Sequence, residues 1–115
     1  MDNGCERLIQ KMIEWGDAIN NGDNTIANRK YKTILALISK INKTEQIELI
    51  IKKLLTSSEV SVKYWAFITA LRNHVSVDTA KSGLTEIAND LSTGPIGALA
   101  QISLIEWHKK ETNTF

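Results

Sequence analysis

The chain has 115 residues, a formal net charge of +1, one proline and one cysteine. That length accommodates one domain, spanning residues 1–115, with a single core. The near-neutral charge excludes a strongly polycationic chain and weakens nucleic acid as a partner, because phosphate binding shows as a basic excess.

Sparse glycine and abundant Ile, Leu, Ala and Lys favour helix over sheet. The first helix is expected from about Gly4 to Asn20, with Leu8, Met12, Trp15 and Ile19 on one face and Ile9 and Ile13 beside them. Asn20-Asn21-Gly22-Asp23 ends it with residues that tolerate a left-handed backbone and then cap the next helix. The second helix spans about Thr25 to Lys40 and buries Ala27, Tyr31, Ile34, Leu35, Ile38 and Ile41. After the turn Asn42-Lys43-Thr44, with Thr44 as cap, a third runs from Glu45 to Thr56 behind Ile47, Ile50, Ile51, Leu54 and Leu55.

Ser58 is the expected cap of a fourth helix, which carries Val62, Trp65, Ala66, Ile68, Thr69 and Leu71 inward as far as Asn73. Ser76 caps a fifth, Val77 to Leu91, with Ala80, Leu84, Ile87, Ala88 and Leu91 inside. Ser92-Thr93-Gly94-Pro95 leads into the sixth, where Pro95 suits the first helical position because its missing N–H is no loss there. Its inward residues are Leu99, Ala100, Ile102, Ile105 and Trp107.

The segment Ser58–Leu71 reappears, loosened, at Ser92–Ile105, setting Val62 on Ile96, Ala66 on Ala100, Ile68 on Ile102 and Leu71 on Ile105. A shift in the other direction sets Lys30-Tyr31 on Lys63-Tyr64. Helical units recurring at this period signal stacked helix pairs, and short connections make neighbouring helices antiparallel. The expectation is an all-α fold of about six helices in three antiparallel hairpins, arranged as a short α-solenoid.

Chemistry finds little footing. Cys5 stands alone, so no intrachain disulfide forms. His74, His108 and Cys5 lie far apart in sequence and do not pair at helical spacing, which argues against a metal site. Glu86 and Asp90 share a face of the fifth helix and read as an exposed acidic edge, while Cys5 has no His nearby in sequence and Ser and Thr sit mainly at caps. Gly94-Pro95-Ile96-Gly97 lacks the Lys-Ser/Thr sequel of a phosphate loop, and Gly97 reads instead as a point of close helix approach. No enzyme activity and no cofactor are expected. The first apolar run is broken by polar residues and no stretch would cross a bilayer, which places the expectation in the cytoplasm.

Charge is unevenly distributed: residues 1–24 balance at −3 and residues 25–63 at +5. The basic strip of Arg29, Lys30, Lys32, Lys40 and Lys43 keeps phosphate-backbone binding as a third reading.

Val62-Lys63-Tyr64-Trp65-Ala66-Phe67-Ile68-Thr69-Ala70-Leu71, Gly83-Leu84-Thr85-Glu86-Ile87-Ala88, Gly94-Pro95-Ile96-Gly97-Ala98-Leu99-Ala100 and Leu104-Ile105-Glu106-Trp107 together form a pattern. Through it, the segment from Ser61 to Glu111 resembles a small bacterial HEAT-like domain family of unknown function. A departure is Lys63, where family members often carry Arg. Small helical proteins of this appearance occur among the immunity proteins of contact-dependent growth inhibition and related polymorphic toxin systems. The resemblance implies a cytoplasmic protein that binds and neutralises the C-terminal domain of one cognate toxin, such as a nuclease, by occlusion. Immunity proteins of nucleases tend to offer acidic surface, and the acids available here are Glu6, Glu14, Asp17, Asp78, Glu86, Asp90 and Glu106. The alternative is a HEAT-like adaptor that holds a protein or peptide along one helical face. A monomer or weak dimer is expected in either case.

Overall fold

The computed structural model describes residues 3–41 and 44–112. Six α-helices occur in order: α1 (Asn3–Asn20), α2 (Asn24–Ser39), α3 (Thr44–Leu54), α4 (Val60–Arg72), α5 (Val77–Asn89) and α6 (Pro95–Thr112). A 3-10 turn, Leu91–Thr93, joins the last two. The fold is all-α, and the described residues contain no strand.

Local chemistry explains most of the boundaries. Gly22 turns the chain in the left-handed region at φ 71°, and the Asp23 carboxylate accepts from the Ile26 N–H at 3.1 Å to cap α2. Asn42, Lys43 and the side chain of Thr44 lie outside the described residues. The cap expected at Ser58 falls elsewhere: α4 begins after Glu59, whose own N–H is held by the Ser57 hydroxyl at 3.1 Å. Ser76 does precede α5, yet its side chain makes no cap bond and its backbone is left-handed at φ 47°. His74 is left-handed too, at φ 55°, so the α4–α5 corner places two non-glycine residues in a region that costs about 1–2 kcal/mol each. Helix α5 stops at Asn89, short of the expected Leu91, because the Asp90 carboxylate takes up the Ser92 N–H at 3.0 Å and hydroxyl at 2.6 Å. Leu91, expected inside, is 96% exposed on the 3-10 turn.

The expected hairpins α1–α2, α3–α4 and α5–α6 all form, and α4 also packs along α5. Helix α4 touches α6, as alternate members of a stack do, but α1 packs on both α4 and α6. The pairs therefore close around α4 instead of running out as an open line. The radius of gyration, 13.7 Å, is that of a compact chain of this length.

Helix α4 is the axis of the core. Ser61, Val62, Tyr64, Trp65, Ala66, Thr69, Ala70 and Leu71 are all buried, while Val60, Lys63, Phe67 and Ile68 are partly covered. Trp65 lies between helices: Trp15 of α1 meets it edge to face at 5.5 Å and Tyr31 of α2 approaches at 5.4 Å. Trp15 also stacks on Tyr64 at 5.3 Å and 12°. Such pairs contribute about 0.5–1.5 kcal/mol beyond their burial. Tyr31, expected to be buried, is 42% exposed, with its ring over Trp65 at the margin of the core.

Helix α6 departs furthest from the reading by repeat. Ile96 and Ala100 are buried as Val62 and Ala66 are, but Ile102 and Ile105 are about half exposed where their counterparts Ile68 and Leu71 are covered. Helix α4 is packed by α1, α3, α5 and α6, whereas α6 lies at the surface and buries only Ile96, Gly97 and Ala100, with Leu99, Leu104 and Trp107 partly covered.

Two glycines permit the close crossings. A Cβ at Gly16 would collide with the Ser61 side chain close to the α4 backbone, and one at Gly83 would enter the Phe67 ring. Because Ser61 is buried and its Cβ is fixed to α4, Gly16→Ala should force α1 and α4 apart. The expected loss is about 1–3 kcal/mol, read as a lower Tm in thermal melts, with Asn21→Ala, at an exposed turn, leaving Tm nearly unchanged.

Candidate protein-binding grooves

Two grooves flank α4 on different sides. The first lies between α3, α4 and α5, where three adjoining depressions each contain Leu55 and Phe67. Gly83 lets the Phe67 ring lie against α5 and so sets the groove's floor. Asp78, Glu86 and Asp90 line its α5 edge, all three exposed. Their spacing along α5 follows from helical periodicity, since residues four apart rise on one face. The opposite edge carries Glu48 and Lys52 of α3 and Lys63 of α4. The groove thus has an apolar floor, one wholly acidic edge and one edge of mixed sign.

Asp90 has a second task. Its carboxylate accepts from both the Ser92 hydroxyl and backbone N–H, which holds the acid below its ordinary pKa and fixes it as an anion. Thr93 anchors the same turn, its buried hydroxyl lying 2.9 Å from the Ile87 carbonyl and 2.7 Å from that of Asp90. A Cβ at Gly97 would meet that hydroxyl and the Ile87 carbonyl, so the close approach expected of Gly97 is made to the end of α5 and the turn after it.

The second groove, of about 280 Å³, lies between α2, α4 and α6. Tyr31, Tyr64, Trp65 and Trp107 are its aromatic lining, with Arg72, Glu106 and Lys110 at the rim. The Tyr64 hydroxyl is bonded to that of Ser103 at 3.2 Å, and burial pushes the phenol's pKa up. The Trp65 and Trp107 indole N–H groups are buried without a hydrogen-bond partner.

Of the seven acids singled out in the sequence, the fold brings Asp78, Glu86 and Asp90 to the first groove and Glu106 to the second. Glu6 and Asp17 stand exposed on α1, apart from both linings. Glu14 is half-buried and committed to α2: it pairs with Lys30 at 2.7 Å, with Lys11 at 3.7 Å, and accepts from the Gln10 amide at 3.2 Å. Lys30 is thereby withdrawn from the basic strip, while Arg29, Lys32 and Lys40 are exposed and Lys43 lies outside the described residues. The aromatic and apolar lining, Phe67, Leu55 and Tyr31 above all, was not signalled as a site by charge. The visible signal was Gly83, an isolated glycine inside a helix, which marks close approach. Among the described residues no three His, Cys, Asp or Glu side chains converge as a metal site. No described helix is long and apolar enough to cross a membrane.

Comparison with protein-family models, curated proteins and solved structures finds no match to this chain.

The Glu14–Lys30 pair gives a pH signature. Hydrogen bonding from Lys30 and then Gln10 holds the Glu14 carboxyl below its ordinary 4.5, and Glu14 raises Lys30 above its ordinary 10.5. A lowered carboxyl contributes stability that is complete above the unfolded value and is lost as pH falls through the folded one. Glu14→Gln should therefore lower Tm slightly at neutral pH, as partly exposed pairs do. Melts repeated below pH 4.5 should show the gap from the unmodified chain closing.

Proposed function

We propose that this chain is a non-catalytic protein-binding domain that neutralises a cognate toxin domain by covering it, with the acid-edged α3–α5 groove as the contact surface. The observation that carries this reading is the placement of Asp78, Glu86 and Asp90 along one edge of a groove floored by Leu55 and Phe67. An apolar centre with a charged rim is the arrangement from which interfaces draw their affinity and their orientation. The acidic edge favours a partner that lays a basic strip against α5, such as the cleft of a nuclease. The sequence pattern of Ser61–Glu111 resembles small bacterial HEAT-like domains, and small helical proteins of this appearance occur among immunity proteins; on that likeness alone the toxin is the kind of partner. The same likeness supports the cytoplasm as the place of action.

A second reading, an adaptor holding a peptide, is favoured by the aromatic groove at α2, α4 and α6, whose size suits a short segment better than a folded domain.

The test begins with retention of native lysate proteins on the immobilised chain, followed by mass spectrometry, using the unmodified chain and the triple variant Asp78→Lys/Glu86→Lys/Asp90→Lys. The reading expects one dominant basic partner that the triple variant loses and Glu6→Lys keeps. That partner, expressed alone, should arrest growth, and co-expression of this chain should restore it. A retained set that is indifferent to the α5 reversal, or harmless when expressed, would contradict the reading.

A further inference from the structure

We propose that the groove between α2, α4 and α6 binds an aromatic carboxylate, the ring held between Trp65 and Trp107 and the carboxylate at Arg72. This site is separate from the acid-edged groove. Helix α4 offers Tyr64, Trp65, Ile68, Leu71 and Arg72 to this one and Lys63, Phe67 and Ala70 to the other. The two sets fall on different faces at helical spacing.

The guest's size follows from the space. At about 280 Å³ the groove lies at the small end of ligand sites, room for a single ring and its substituent. Its walls are aromatic, and aromatic rings favour offset or edge-to-face contact with one another. The acceptor on the guest follows from unspent donors. Buried polar groups nearly always have partners, yet the indole nitrogens of Trp65, itself 1% exposed, and of Trp107 have none. The charge follows from the rim. Arg72 is exposed and has no ion-pair partner among the described residues. A guanidinium meets a carboxylate through two parallel N–H groups, a fit that a neutral amide does not reproduce. Glu106 on the same rim disfavours a guest with a second negative charge.

Tyr31 controls access. Both indole nitrogens are out of the reach of water, and the Tyr31 ring, 42% exposed, lies 5.4 Å from that of Trp65. The guest reaches Trp65 as Tyr31 turns outward. The carboxylate has two sources, a free small molecule or the last residue of a peptide, and the groove is open enough to admit either.

The experiment titrates the full chain with N-acetylphenylalanine, with N-acetylphenylalaninamide and with a hexapeptide ending in phenylalanine. Indole N–H resonances in 15N-correlated NMR spectra provide the readout. Saturable shifts of the Trp65 and Trp107 signals by the acid, with the amide weaker by about tenfold or more, support the site. Arg72→Gln, an exposed change whose Tm should match the unmodified chain, should weaken the acid to the level of the amide. A peptide that binds more tightly than the free acid assigns the carboxylate to a chain end, and equal binding assigns it to the small molecule. No saturable shift in the millimolar range, equal binding of acid and amide, or acid binding untouched by Arg72→Gln overturns the proposal.

Discussion

A helix that is apolar all round has to be covered all round, and α4 imposes that requirement on the rest of the chain. Between Val60 and Leu71 its one charged residue is Lys63, and eight of its residues are buried. Helices α1, α3, α5 and α6 all pack against it. The cost of leaving any side open is large, since each fully exposed large apolar side chain forfeits about 1.5–3 kcal/mol of burial. The short connections leave limited ways to meet that demand. The result is a closed group of helix pairs with Trp65 at the junction of α1, α2 and α4.

The same constraint explains which parts of the fold were legible in the sequence. Amphipathic helices α1, α2, α3 and α5 declare their inward stripes through spacing, and Leu8, Met12, Trp15, Ile34, Ile47, Leu54 and Leu84 are buried where periodicity puts them. Helix α4 has no stripe to read, so Tyr64, Ser61 and Ala70 escaped even though the length of its apolar run marks a buried helix. The repeat then misled on α6: similarity to α4 carried Ile102 and Ile105 inward, although a surface helix cannot bury the positions that a central one can. Turn chemistry gave Asp23, Pro95 and the position of Ser76 correctly, but not Ser58, and not the missing side-chain bond at Ser76. A cap residue in sequence does not specify the backbone angle, and φ 47° accompanies a side chain without a cap bond.

The candidate sites were legible only as charge. Reading acids by position found Asp78, Glu86 and Asp90, which helical spacing places on one edge. It did not separate them from Glu14, because the Glu14–Lys30 pair depends on the α1–α2 hairpin bringing residues sixteen apart in sequence within 2.7 Å. Nor did it find the apolar floors. Phe67 and Tyr31 are both marginal to the core, each packed on one side and open on the other, and that half-burial makes a groove. Both grooves border α4, which lines each of them with a different set of residues. A partner engaging either groove leans on residues of α4, so binding at either site should stiffen the helix that the core depends on.

Native-state amide hydrogen exchange tests the central place of α4 most directly. If α4 is the element that every other helix serves, its amides from Lys63 to Leu71 exchange only through global unfolding. Their opening free energies should equal the stability from denaturant melts, while the last turns of α6 exchange by local opening. Amides of α4 that exchange as readily as those of α6, at opening energies well below the global value, would contradict the account.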